Sequence, residues 1–106
     1  MKKPRKSKYG NIKTRVDGIL FDSKKEAKRY LELKLLEKAG RIRGLVLQYP
    51  VQVVANDKVL FKWIADFVYY EGNERIFEDV KGVRTQVYAL KAKILKIIMG
   101  ITVRET

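Results

Sequence analysis

The chain has 106 residues, and its 24 lysines and arginines outnumber its 12 aspartates and glutamates, giving a formal net charge of +12. This length predicts one domain with one modest core. Because the sequence contains neither cysteine nor histidine, it excludes disulfides, zinc and haem sites, and cysteine or histidine catalysis. Any bound metal must therefore be held by oxygen ligands, which favours a hard divalent ion such as Mg²⁺ or Mn²⁺.

The excess of positive charge predicts a polyanionic partner, since basic side chains release counterions from phosphates on binding. The basic residues are not gathered on one amphipathic helix with a large apolar face, so nucleic acid is favoured over a membrane surface. No apolar run approaches the roughly 20 residues that span a bilayer, and no apolar signal core follows the first methionine. We therefore expect a cytoplasmic protein with no membrane partner.

The first segment, residues 1–15, is basic and has no acid. So much charge prevents packing, and the segment is predicted to be a flexible arm preceding a single domain at 16–106. Either the arm lies along a phosphate backbone, or it only aids solubility. Its candidate nucleic-acid-binding residues are Lys2, Lys3, Arg5, Lys6, Lys8, Lys13 and Arg15.

The next segment predicts a short strand or turn around Gly18 and then a helix. Ser23 can cap that helix, and Glu26 three residues later completes a capping-box pattern. The helix should run to about Ala39 and end at Gly40, which suits a left-handed C-terminal position.

Three apolar, β-branched segments then predict strands at residues 45–54, 60–70 and 75–81. The short connections between them indicate an antiparallel meander, and Pro50 predicts a bend or an edge position in the first strand. A second helix is predicted over 85–99, and a last strand over 101–104. The expected class is α/β: a small mixed sheet with a helix on either side, or with both helices on one face.

Alternation along the second strand puts Asp66 on one face, between the apolar Ile64 and Val68. A carboxylate there is costly unless something compensates its charge. The compensation is either a lysine or arginine partner, which is favoured for Asp66 taken alone, or a metal ion.

The next strand places Asp79 and Lys81 side by side, with Glu78 on the opposite face. They could form an ordinary ion pair. Two carboxylates and an ammonium meeting at a sheet end also suit phosphoryl chemistry, because carboxylates hold Mg²⁺ and the lysine offsets developing negative charge. On the second helix, Thr85, Tyr88 and Lys91 either face a nucleic-acid substrate or form a solvated cap and surface.

Asp66 with Asp79-Val80-Lys81 resembles the PD-(D/E)xK nuclease signature, although Ala65 stands where the motif's name has proline. The αβββαβ order is similar to the restriction-endonuclease-like core of that superfamily. More closely, the chain resembles a family of small nucleases encoded by phages and prophages. The stretches that carry this likeness are FDSKKEAKRYLELKLLEKAG (21–40), IADF (64–67), EDVKG (78–82) and TQVYALKAKI (85–94).

The resemblance implies a metal-dependent DNA endonuclease that leaves 5′-phosphates. Glu26, Asp66 and Asp79 would hold Mg²⁺ or Mn²⁺, the main-chain carbonyl of Val80 is a further candidate ligand, and Lys81 would act on the nucleophile. Glu26 could instead serve only as the partner of the Ser23 cap.

The implied substrate is branched DNA, cut by a junction-resolving homodimer in phage recombination or packaging inside a bacterial host; flaps, single strands and duplexes remain open. The alternative from another class is a non-catalytic nucleic-acid-binding protein whose acids are salt-bridged. An RNA substrate also stays open.

Overall fold

The computed structural model describes residues 12–81 and 83–106. A hairpin of β1 and β2 precedes helix α1, which is followed by the long strands β3 and β4, strand β5, helix α2 and strand β6. Helix α2 continues into one π-helical turn before Gly100. The bounds are β1 Thr14–Val16, β2 Ile19–Phe21, α1 Lys24–Lys38, β3 Arg43–Ala55, β4 Lys58–Glu71, β5 Glu74–Asp79, α2 Gln86–Ile94, the π-helical turn Leu95–Met99 and β6 Val103–Glu105.

The main sheet is mixed, with the strand order β3-β4-β5-β6. β3, β4 and β5 form the predicted antiparallel meander, and β6 returns parallel to β5 after α2. β3 lies at the sheet edge, where Pro50 can be accommodated because an edge strand needs fewer backbone donors. The α/β class and the order helix, three strands, helix, strand are confirmed.

The two helices pack on opposite faces of this sheet. Phe67 and Tyr69 of β4 lie in the core formed with α1, which includes Leu33. Val68, between them, lies in a second core with Leu95 of the π-helical turn. Since neighbouring residues of a strand face opposite ways, one helix covers each face.

The alternation predicted for β4 is wrong on one side of Asp66. Trp63 and Ala65 pack in the core containing Leu95, whereas Phe67 and Tyr69 pack against α1. The change of face lies opposite Gln48 of β3, which has φ +53° and stands between the pairs Leu47–Phe67 and Tyr49–Ala65.

The first hairpin corrects the boundary of the predicted arm. Thr14 and Arg15, assigned to the arm, belong to β1 and pair with β2. The turn at Asp17 and Gly18 has positive φ at both residues, which matches the right-handed twist of a two-stranded ribbon. Among the described residues, no helix is long and apolar enough to cross a lipid bilayer.

Candidate active site

A polar cavity of about 230 Å³ lies where the N-terminus of α1 meets β4 and the end of β5. Of the four predicted catalytic residues, Asp66 lies in β4 and Asp79 ends β5, whereas Lys81 follows that strand, which ends two residues earlier than predicted. Glu26 comes from the helix. The lining residues are Asp22, Ser23, Lys25, Glu26, Asp66, Asp79, Val80 and Lys81. Asp66 and Asp79 therefore project into one space, as do the other predicted catalytic residues.

Asp66 is half-buried in the middle of β4. Its Oδ2 accepts a hydrogen bond of 2.8 Å from the backbone N–H of Val80, and within the described ranges no lysine or arginine nitrogen lies within 4.0 Å of its carboxylate. Burial first, then a hydrogen bond with Asp79 and the charge of that residue, raise the pKa of Asp66 to about 8, against the opposing effect of the Val80 N–H. The salt bridge predicted for Asp66 alone is absent from the described part of the chain, so no basic side chain there compensates its charge.

Asp79 ends β5 and is 4% exposed. Its Oδ2 lies 2.6 Å from Nζ of Lys81, so the ordinary ion pair that the sequence allowed for these two residues is present. The ammonium compensates the charge of this buried carboxylate.

The ammonium of Lys81 is held from two sides. Opposite Asp79, the ring of Tyr88 lies with its centroid 3.8 Å from Nζ, a cation–π contact. The Lys81 backbone is also fixed: its N–H donates to the carbonyl of Thr106 at 2.9 Å, and its carbonyl accepts from Nζ of Lys25 at 2.7 Å. The lysine therefore reaches the cavity from a backbone that is tied to both α1 and the C-terminal strand.

Glu26 is buried on the inner side of α1, with 5% of its surface exposed. Ser23 Oγ accepts from the Glu26 backbone N–H at 3.1 Å, so the predicted cap forms. The carboxylate itself accepts from Nε2 of Gln48 at 3.2 Å. Burial first, then the charges of Asp22 and Asp79, raise the pKa of Glu26. The side chain thus lies in the cavity with the other acids.

Gln48 of β3 has a backbone conformation that the alternating strand pattern does not predict. It has φ +53° in the middle of β3, and the flanking pairs Leu47–Phe67 and Tyr49–Ala65 put it opposite Asp66. A left-handed conformation in a residue other than glycine costs of order 1–3 kcal/mol and is concentrated at functional sites. From its sequence position alone, Gln48 could orient a water or a phosphate, although an ordinary polar residue near a strand end is the default interpretation; its positive φ is not predicted by an alternating strand.

The oxygen donors of these residues are of a chemical type that suits a divalent metal ion. Within residues 12–81 and 83–106, no three acidic side chains lie close enough together to form a metal site as they stand. However, the carboxylates of Glu26, Asp66 and Asp79 line one cavity, and hard oxygen donors are what Mg²⁺ and Mn²⁺ prefer. Asp66, which has no lysine or arginine partner among the described residues, favours an added cation.

Glu78 faces away from the cavity, as alternation predicts. It is fully buried and accepts from Arg29 Nε and Nη2 at 2.6 and 3.0 Å. The Tyr69 hydroxyl and Thr106 Oγ1 donate to it at 2.5 and 3.0 Å. Burial alone would raise the pKa of Glu78, but the hydrogen bonds from Arg29 and Tyr69 outweigh it and hold the pKa below its usual value. Glu78 therefore ties α1 to the sheet.

Two basic side chains of α1 connect the helix to the sheet. Lys25 is exposed and donates to the Lys81 carbonyl, and the half-buried Arg29 bonds to the buried Glu78. The polar pattern of the helix does not predict these partners, because they come from a distant part of the sequence.

The predicted nucleic-acid-binding residues divide into three groups. Thr85 caps α2 by accepting from the Tyr88 N–H at 3.1 Å, and Lys91 lies 5.4 Å from the Phe61 ring centroid. Arg15 donates to the Gly18 carbonyl within the first hairpin. Tyr88 is buried, with its ring against the Lys81 ammonium. Lys13 is exposed, and the other members of the set lie outside the described residues: Lys2, Lys3, Arg5, Lys6 and Lys8.

A family model described as "Protein of unknown function (DUF1064)" matches residues 6–100, which include every residue of the cavity. The chain belongs to this family. No curated protein and no solved structure matches it. The description of the DUF1064 family gives no activity, so the function of this chain has to be inferred from its cavity.

Proposed function

We propose that the protein is a metal-dependent DNA endonuclease that hydrolyses phosphodiester bonds at the cavity containing Asp66, Asp79 and Lys81. The observation that carries the proposal is the convergence of two carboxyls from neighbouring strands beside an ammonium 2.6 Å from one of them. The net charge of +12 supports a nucleic-acid partner.

We also infer that the fold is the restriction-endonuclease-like core. The order α1, β3, β4, β5, α2, β6 supports this inference, as does the parallel pairing of β6 with β5. Asp66 lies in the second strand of that core and Asp79 at the end of the third, where a PD-(D/E)xK site requires its acids.

In this proposal Glu26, Asp66 and Asp79 hold Mg²⁺ or Mn²⁺, and the Val80 carbonyl is a further candidate ligand. The ion, when bound, polarises the scissile phosphate and lowers the pKa of a water molecule. The acids supply negative charge that keeps the ion in place. The hydrogen bond from the Val80 N–H fixes the orientation of Asp66.

Lys81 contributes a positive charge beside the reacting phosphate. Since its ammonium lies between Asp79 and the Tyr88 ring, it is already oriented and loses little freedom on binding substrate. From that position it can donate hydrogen bonds to a phosphate oxygen and stabilise the charge that develops in the transition state.

The proposal is tested by a cleavage panel of four-way junction, flap, single-stranded and duplex DNA, with RNA as a fifth substrate. Mg²⁺ or Mn²⁺ should support cutting, while EDTA abolishes it. Lys81→Met keeps the aliphatic stem over Tyr88 but removes the charge, and should lower the cleavage rate by at least about 100-fold with nucleic-acid affinity changed little. Lys62→Met, an exposed lysine on β4, is the matched control.

The rival is a non-catalytic nucleic-acid-binding protein, and the Asp79–Lys81 ion pair is the one contact that favours it. Tight binding to the panel without any EDTA-sensitive cutting would establish the rival. Equal cutting by Lys81→Met and Lys62→Met would show that the site is misassigned. A preference for the junction, cut symmetrically by two copies, would support the resolving homodimer.

A further inference from the structure

We propose that a groove beside the candidate active site binds one unpaired nucleotide of the strand being cut, so that the protein prefers single-stranded or locally unpaired substrates over continuous duplex. This inference rests on the proposed function, because it takes the scissile phosphate to lie at Asp79 and Lys81. The groove has a volume of about 290 Å³ and runs between β4 and α2. Its lining residues are Trp63, Ile64, Asp79, Lys81, Thr85, Val87, Tyr88 and Lys91.

The groove shares Asp79 and Lys81 with the polar cavity, so the two sites are continuous. A strand whose phosphate lies at Lys81 therefore has its adjoining sugar and base at the groove. The volume is near the lower end of the range for ligand pockets, roughly 300–1,000 Å³. It suits one nucleotide and excludes a double helix.

The groove also carries apolar surface that water solvates poorly. Ile64 on the β4 side is 50% exposed, and Val87 on the α2 side is 64% exposed. Trp63 is 7% exposed in the same lining. Planar bases stack on such surfaces without regard to sequence. A continuous duplex presents sugars and phosphates outward, so it cannot fill an apolar groove unless a base leaves the stack.

The charges of the lining suit a nucleotide better than a peptide or a second copy of the chain. Lys81 and Lys91 bring two cations, against one acid, Asp79, which lies at the end shared with the cavity. An apolar slot with cations at its mouth complements a base attached to a phosphate.

The backbone of β4 adds hydrogen-bonding groups along the same groove. Within the described structure, β5 pairs with β4 only from Phe67 to Glu71. Among the described residues, no strand therefore pairs with β4 before Asp66 on the side away from β3, and an edge of this kind offers N–H and C=O groups for pairing. These groups can bond to the edge of an unpaired base, whereas the edges of paired bases are already occupied.

The test uses the fluorescence of Trp63, the single tryptophan of the chain. The full-length protein is titrated in EDTA with a 12-nucleotide oligothymidine and, separately, with a 12-base-pair duplex. The variants are Ile64→Thr and Val87→Ser. The control is Ile97→Ser, which is 74% exposed and follows Val87 by about 15 Å along the helix. All of these side chains are at least half exposed, so thermal melts should stay close to those of the wild type.

Oligothymidine should change the Trp63 emission, and each groove variant should weaken its binding about fivefold or more, with duplex binding altered less than about twofold. Ile97→Ser should bind both probes as the wild type does. Equal losses on both probes, no loss on either, or a change of oligomeric state in Val87→Ser would overturn the proposal, the last by showing that a second copy occupies the groove.

These outcomes are separable from the fate of the nuclease proposal, because the titration needs no turnover. Selective loss of oligothymidine binding in a protein that cuts nothing would support the proposed groove and contradict the proposed nuclease activity. An active nuclease whose Ile64→Thr and Val87→Ser variants cut flaps and duplex in the wild-type ratio would keep the nuclease and remove the groove.

Discussion

Asp66→Asn should stabilise the metal-free protein at alkaline pH while removing its response to metal. Asparagine keeps the oxygen that accepts from the Val80 N–H, so the substitution changes charge with little change of shape. In the wild type the pKa of Asp66 is raised, by burial first and then by Asp79, from an ordinary 3.8 to about 8. A raised acid pKa contributes stability that is complete below the ordinary value and is lost as the pH rises through the raised one.

The size of this effect follows from the energy of about 1.4 kcal/mol for each tenfold change in proton affinity. Taken in full, the raised pKa of Asp66 would lower the free energy of unfolding of the wild type by about 5–6 kcal/mol at pH 9. Asp66 is only half-buried, and water reaching the carboxylate reduces this figure. We expect the wild type to lose about 2–3 kcal/mol relative to Asp66→Asn between pH 5 and pH 9. For a domain of this size that difference is a shift in Tm of about 10–20 °C.

The measurement is a series of thermal melts in EDTA from pH 5 to pH 9, repeated with Mg²⁺ or Mn²⁺. At pH 8 an ion at 100 times its Kd should restore about 2.7 kcal/mol to the wild type and little to Asp66→Asn. Asp57→Asn, in the exposed turn between β3 and β4, is the control and should follow the wild type throughout. Parallel pH curves for wild type and Asp66→Asn would refute the account of Asp66 as an uncompensated acid.

Two further substitutions separate folding from function. Glu78→Ala should lower the free energy of unfolding by about 3–5 kcal/mol in urea at pH 7, because it leaves Arg29 without its buried partner, with only the exposed Glu32 remaining. Because the pKa of Glu78 is lowered in the folded protein, this difference should shrink as the pH falls below the ordinary value of 4.5, and a difference as large at pH 2 as at pH 7 would contradict the ion pair. Gln48→Gly should leave the free energy of unfolding within about 1 kcal/mol of the wild type, since relief of the positive φ offsets the flexibility of glycine. It should nevertheless weaken Mn²⁺ binding in calorimetry, because the hydrogen bond to Glu26 is lost. Gln48→Ala should weaken the same binding and also destabilise the protein, and unchanged Mn²⁺ affinity in both variants would exclude Gln48 from the site.

The order and type of the main elements could be predicted from sequence because each has a local cause. Ser23 and Gly40 mark the two ends of α1, and the structure places the helix between them. Asn56 and Asp57 both have positive φ in the predicted turn, and Gly100 has positive φ at the end of the second helix. Such signals act within a few residues and do not depend on contacts with the rest of the chain.

The site could be predicted in part. Alternation along two adjacent strands was enough to propose that Asp66 and Asp79 come together, and they line one cavity. The predictions that failed concerned residues whose conformation depends on partners far away in the sequence. Opposite Gln48, which has a positive φ, β4 changes face, so Trp63 and Ala65 lie in a different core from Phe67. No local pattern in the sequence predicts a left-handed residue in the middle of a strand.

Thr106 is bound into the frame of the candidate site. It donates its backbone N–H to the Asp79 carbonyl at 3.1 Å, and its own carbonyl accepts from the Lys81 N–H. These pairs join positions about 25 residues apart in sequence, and closing a loop of that length is slower than forming a hairpin. On the ribosome, the segment that steadies Asp79 and Lys81 emerges after β3, β4 and β5. The chain therefore completes this centre only after those strands have had time to pair.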